Sequence, residues 1–210
     1  MSVIISWSTA LVALVWLLET VVSRRRTRER SEVKGAMARV SYLSAIIPLL
    51  FPTLVIAAVF LGVGQLPPSL IALPFQFVGL LLAIGAEVVI ARARMELGDQ
   101  QTEGVEVWAE QRLIRRGLYA FVRHPIYLGT LALGLGLGLG LWSWALLLAD
   151  LIVALPLFYW LASQEERLLA ERFGHDYQEY RARVPMLSPW PRPTKVGSEA
   201  VKQPDVAEQE

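Results

Sequence analysis

The feature that most constrains this chain is the segregation of its charge. Apolar runs cover roughly 3–22, 42–63, 70–90 and 126–161, and most of the charge lies between and after them. Of the 210 residues, 54% are hydrophobic and only 19% are charged. A run of about 20 apolar residues, rising ~1.5 Å per residue, crosses a ~30 Å hydrocarbon core. Each run reads as helix, because a helix satisfies its own backbone polar groups where no water is available. The last run, about 36 residues long, exceeds what one upright helix needs. It reads as a helical hairpin turning near Trp142-Ser143-Trp144, with aromatic side chains at the membrane interface. The expectation is an all-α integral membrane protein of about five transmembrane helices.

The basic residues fix an expected orientation. All 20 Lys and Arg fall within 24–39, 92–123 and 167–202. In a five-span chain these stretches share one side of the membrane, and one span more or fewer breaks the agreement. The positive-inside rule then puts the N-terminus outside and the C-terminus in the cytosol. Pro48 and Pro52 are expected to bend the second span, since each removes a backbone donor. A cleaved leader is not expected, because arginines follow the first run where small residues would mark a cleavage site. The organisation expected is three N-terminal helices in 1–95, a catalytic region with hairpin and cytosolic cap in 96–187, and a disordered tail in 188–210. That tail is rich in Pro, Ser, Lys and Glu.

Composition excludes several chemistries. The chain has no Cys, which removes disulfides, thiolate metal ligands and thiol catalysis. With two His besides, no metal site is expected. No GxGxxG fingerprint is present, so any nucleotide-like cofactor is held by another kind of site. Gly134, Gly136, Gly138 and Gly140 alternate with leucines without the Lys or Thr of a phosphate loop; they read as a close helix-packing surface. No nucleic-acid partner is expected. Glu87 lies within the third apolar run about one turn from Arg92, and snorkelling to the interface is its simplest reading.

Three clusters carry possible chemistry. The first is the stretch Arg115 to Gly129, which contains Tyr119, Arg123, His124, Pro125, Ile126 and Tyr127. Pro125 suits a first helical turn, where its missing N–H costs nothing. The free N–H groups and partial positive charge of such a helix start suit an anion. The same residues also suit a plain membrane interface, with arginines on headgroups and tyrosines as anchors. The second cluster is Glu165-Glu166, adjacent carboxylates just past the last span. They either meet a cation or form a solvated helix face with a partner such as Arg172. The third runs from Phe173 through Gly174, a plausible helix C-cap, to Pro185. In it Tyr177 and Tyr180 share a helix face, and Asp176 with Glu179 is spaced as a capping box.

In this order, Arg123-His124-Pro125-x-Tyr127-x-Gly129, the hairpin, Glu165-Glu166, then Phe173-Gly174, Tyr177, Tyr180 and Val184-Pro185 resemble the isoprenylcysteine carboxyl methyltransferase family. Phospholipid methyltransferases share much of the pattern. The resemblance covers roughly 111–185. It implies a membrane-embedded enzyme that transfers a methyl group from S-adenosylmethionine to a lipophilic acceptor, a carboxylate or an amine. It implies cofactor contacts from Gln111, Arg112, Leu113, Ile114, Tyr119, His124, Pro125, Ile126, Tyr127 and Glu165, with Arg123 and Glu166 in catalysis. The family usually has a histidine at Gln111, and its acceptor-binding arginine falls here at Leu161. A membrane reductase on a related scaffold, or a non-catalytic membrane or transport protein, are the alternatives. The first lacks an evident nicotinamide site, and the second lacks repeated halves.

Overall fold

Four long helices carry the apolar runs in the computed structural model, which describes residues 1–27, 61, 64–67, 69–98 and 112–188. They are α1 (Ser2–Thr27), α2 (Ala72–Leu97), α3 (Pro125–Gly140) and α4 (Trp144–Phe173), followed by a short α5 (His175–Arg183). Helices α1, α2 and α4 are long and apolar enough to cross a membrane, and α3 is a shorter apolar arm. The chain is an all-α integral membrane protein. The expected second span (42–63), with Pro48 and Pro52, lies outside the described residues apart from Leu61, as do Gln111 and residues 189–210.

The hairpin turns where the two tryptophans bracket a serine. Trp142 has φ 54°, a left-handed conformation that ends α3 abruptly. Ser143 then caps α4, its hydroxyl accepting from the Leu146 N–H at 3.4 Å. The segment before α2 is tied to the same turn: Trp144 N donates to Gly64 O, and Leu66 N donates to Trp142 O. Within α4, Asp150–Ala154 forms a π-helical turn. Pro156 accounts for it, because proline cannot donate to the preceding turn and its ring crowds the carbonyl there.

The alternating glycines serve packing, as their spacing predicts. A Cβ on Gly136 would lie 2.6 Å from Ala83 N, and one on Gly79 would lie 2.3 Å from Gly140 N. Backbone therefore touches backbone where α2 crosses α3. Ala83, Ala86, Ile90, Leu133 and Leu137 fill the seam, and Ala13 and Trp16 of α1 close it.

Polar contacts sort to the two ends of this bundle. At the hairpin end, Gln76 Nε2 donates to Ser6 Oγ and Gly140 O, both at 3.4 Å. At the other end, Arg94 reaches Glu19 of α1 at 3.2 Å and the Thr20 hydroxyl at 3.2 Å. Glu87 does not snorkel beside Arg92. It is buried in the bundle at 9% exposure, and the arginine at that end turns to Glu19 instead.

Candidate active site

The end of α2 builds the platform for the site. Glu96 reaches forward and accepts from Leu118 N at 2.7 Å, capping the 3-10 turn Gly117–Ala120. Gly117 has φ 61°, and a Cβ there would strike the Glu96 carboxylate. Glycine suits this left-handed conformation, and a side chain there would have to displace the Glu96 carboxylate from its hydrogen bond. The chain then passes through Arg123 and His124 into α3, with Pro125 in its first turn as the sequence predicts.

The segment after α5 folds back on this entrance. Arg123 N donates to Pro185 O at 2.9 Å, and His124 N donates to Met186 O at 3.1 Å. Tyr180 donates its hydroxyl to Tyr119 O at 2.6 Å. Tyr177 and Tyr180 meet edge to face and pack with Val184 and Leu113. The two tyrosines thus form the core of the cap. Gly174, with φ 51°, makes the corner between α4 and α5, and it rather than an Asp176–Glu179 box precedes α5. Asp176 pairs with Arg115 at 3.5 Å and Glu179 with Arg183.

These folds bring both sequence clusters together. Glu166 is buried, with Arg123 Nη2 at 2.7 Å, Arg181 Nε at 3.6 Å and His124 Nε2 at 3.5 Å. Its main partners are these, not Arg172 on its own helix. Glu165, less buried, is held on both oxygens: Tyr127 donates its hydroxyl to Oε1, and His124 Nδ1 lies 3.2 Å from Oε2. The His124 and Tyr127 rings stack at 5.6 Å, and Tyr127 in turn meets Phe158 at 5.3 Å.

Burial alone would push the His124 pKa down. Hydrogen bonds and charge from Glu165 and Glu166 outweigh it and hold the pKa above the usual imidazole value. The cluster therefore favours an imidazolium bridging two carboxylates. Burial lifts Tyr119 well above the ordinary phenol range and pushes Tyr180 up to about 12, so both stay neutral donors.

Of the site residues read from sequence, Arg123, His124, Tyr127, Glu165 and Glu166 converge in one cluster. Tyr119 joins through Tyr180, Leu113 lies under the cap tyrosines, and Pro125 opens α3. Arg112 is exposed, and Ile114 and Ile126 are half-buried. Three participants escaped sequence reading: Arg181, Phe158 and Glu96. Glu96 sits just outside an apolar run, a position compatible with many roles. Nothing in linear spacing points Arg181 at Glu166 across the Gly174 corner.

Fold and site together define a helical membrane protein with a buried acid–base cluster at one end of its bundle. Residues 75–176, just under half of the chain, match the family model for phospholipid methyltransferase. Over 75 residues the chain is 40% identical to methanethiol S-methyltransferase 1 of Bradyrhizobium diazoefficiens, covering 36% of this chain and 25% of that protein. The structure of the eukaryotic intramembrane Ras methyltransferase, isoprenylcysteine carboxyl methyltransferase, matches with a TM-score of 0.52 at 22% identity. That match covers 76% of this chain and 55% of the solved one, and it supports the fold. The chain thus spans a quarter of its curated relative and about half of the solved structure. The family resemblance read in the sequence is borne out by these matches over the segments they cover.

Proposed function

We propose that this protein is an S-adenosylmethionine-dependent methyltransferase acting on a lipophilic acceptor at the cytosolic face of a membrane. The observation that carries the reading is the convergence of His124, Tyr127, Glu165 and Glu166 at one end of the helical bundle. The matched segment, shared with methyltransferases, contains all four residues. The proposed arrangement has the N-terminus outside and the C-terminus in the cytosol. Three helices lie in 1–95, the catalytic region in 96–187 and a tail in 188–210.

The residues present fit a sulfonium cofactor. A cation next to carboxylates and aromatic faces is stabilised by both. Glu165 supplies a carboxylate that is not sealed off, with the Tyr127 ring beside it. The Tyr177 hydroxyl is buried and makes no hydrogen bond among the described residues, an uncommitted donor beneath the cap. Gln111, Arg112, Leu113, Ile114, Tyr119, His124, Pro125, Ile126, Tyr127 and Glu165 would hold the cofactor. When bound, it supplies an electrophilic methyl group. Arg123 and the imidazolium of His124 keep Glu166 ionised, and His124 also holds Glu165 in place. The cap and the apolar residues around Phe158 exclude water, which favours displacement by a weakly solvated nucleophile.

The test is radiolabelled methyl transfer from S-adenosylmethionine by purified protein into a membrane lipid extract, with calorimetry of S-adenosylhomocysteine binding. Binding and label incorporation are expected. Absence of both, with binding of NADPH instead, overturns the reading in favour of a reductase.

A further inference from the structure

We propose that Glu96 is a positioning residue for the cofactor: through the Leu118 N–H it sets the turn that carries Tyr119. This inference rests on the methyltransferase reading and deepens it.

The turn Gly117–Ala120 is short and needs outside support. A lone 3-10 turn has few hydrogen bonds of its own, and their geometry is poor. Here the Tyr119 N–H bonds to Arg116 O at 3.2 Å, and the Phe121 and Val122 N–H groups both turn to Leu118 O at 3.1 Å. Arg116, which precedes the turn, offers no side-chain cap. The Leu118 N–H is met instead by Glu96 Oε2 at 2.7 Å, from 22 residues earlier in the chain. A carboxylate acceptor makes such a bond about twice as strong as a neutral one. Gly117 lets the carboxylate lie against the backbone, since a Cβ there would come within 2.4 Å of its carbon and both oxygens.

The helix that carries Glu96 is itself fixed. Just before Glu96, Arg94 ties α2 to Glu19 and Thr20 of α1, both at 3.2 Å. On the other side of the turn, Tyr180 of the cap donates to Tyr119 O at 2.6 Å. Arg123 N and His124 N, a little further on, donate to Pro185 O and Met186 O. Tyr119 thus stands between the helical bundle, which holds its turn through Glu96, and the cap, which holds its carbonyl. Its ring is buried, and burial first, then the charge of Glu165, keeps its phenol neutral. Tyr119 and Glu165 are both among the residues that would hold the cofactor. With Glu96 shortened, the Leu118 N–H loses its acceptor, the turn comes away from α2, and Tyr119 shifts relative to Glu165. Glu96 acts here without touching the cofactor, so the effect falls on binding rather than on the methyl-transfer step.

The experiment takes purified wild type, E96A, E96Q and G117A. It measures S-adenosylhomocysteine affinity by calorimetry, thermal unfolding, and methyl transfer into a membrane lipid extract at varied S-adenosylmethionine. E96A is expected to weaken S-adenosylhomocysteine binding and raise the KM for S-adenosylmethionine roughly ten- to a hundredfold, the worth of one charge-assisted hydrogen bond, with kcat close to wild type. E96Q keeps an acceptor of about half the strength and is expected to recover roughly half of that loss on a logarithmic scale. G117A, whose Cβ displaces the Glu96 carboxylate, should weaken binding too. E96A/G117A should lose less than the two single variants together, because both break one contact. Should E96A fail to fold, E96Q and G117A decide. A lower melting temperature with unchanged affinity assigns Glu96 to the fold alone and overturns the proposal. So does a fall in kcat at unchanged KM, or an E96Q as weak as E96A, which makes the charge and not the hydrogen bond the operative feature. A wild type that binds and turns over while E96A matches it overturns only the positioning role. A wild type that neither binds S-adenosylhomocysteine nor transfers label overturns the methyltransferase reading, and this inference with it.

Discussion

Arg123 Nη2 lies 2.7 Å from Glu166 Oε1, and the two side chains are only 2% and 6% exposed. The pair joins the entrance of α3 to the part of α4 distant from the hairpin turn, and Arg123 also donates to Arg181 O at 3.4 Å on α5. Three elements thus meet on one buried ion pair. Burying charge is costly, and what remains when one partner is removed is an uncompensated charge.

The first prediction follows from that asymmetry. R123M or E166L alone should destabilise the protein by about 3–5 kcal/mol, while the double variant R123M/E166L should recover much of the loss. Thermal unfolding in detergent of the two single variants and the double closes the cycle. Additive losses would show that the two groups do not act as a pair.

His124 gives a second prediction. Its pKa is raised by Glu165 and Glu166 against the opposing effect of burial. Folding therefore favours the imidazolium. That stabilisation is complete below the unfolded value of about 6.5 and is lost as pH rises through the raised folded value. The chain has two histidines, so the His124 signal can be assigned by histidine-labelled NMR with a single substitution. The His124 signal should titrate above about 6.5 in wild type and fall back toward it in E165Q. A His124 signal titrating below that value would refute the bridge.

The glycine seam yields a third. At Gly79 and Gly136 a Cβ would sit within 3 Å of backbone on the facing helix, while at Gly85 it meets nothing. G79A and G136A should each lower the melting temperature by an amount equivalent to ~1–3 kcal/mol, the usual cost of overpacking. G85A should be neutral or slightly stabilising. Equal effects at all three sites would mean that the α2–α3 approach is looser than described.

Much of this was legible in the sequence, for physical reasons. Apolar runs and flanking arginines define spans because the bilayer allows few alternatives. Trp142-Ser143-Trp144 marked the turn, and the alternating glycines marked the helix contact. His124 with Glu165 and Glu166 was legible as two clusters on one membrane side. That they meet as ion pairs was not, since about 40 residues of hairpin separate them and only its folding sets the register. Arg181 was hidden for the same reason: its reach to Glu166 depends on the Gly174 corner. The π turn at Asp150–Ala154 has a cue in Pro156, but proline predicts a disturbance without its form.

The last prediction separates the two adjacent glutamates. Successive helix positions point ~100° apart, so Glu165 and Glu166 cannot face the same way. Glu166 turns inward to two arginines and His124, whereas Glu165 keeps 24% of its side chain exposed beside Tyr127. Under the proposed function, E165Q removes a carboxylate that faces the cofactor, with little packing lost. Its S-adenosylhomocysteine affinity should fall roughly ten- to a hundredfold, as expected for one charge-assisted hydrogen bond of ~1.5–3 kcal/mol. Its melting temperature should fall less than that of E166Q. E166Q should show the reverse emphasis, a large fall in melting temperature from two arginines left without their counterion, with weakened binding following from lost order. Calorimetry of S-adenosylhomocysteine binding and thermal unfolding on both variants, at one pH and detergent, decide the matter. If E166Q loses affinity at unchanged melting temperature while E165Q loses stability, the inward and outward roles are exchanged and the division drawn from the geometry is wrong.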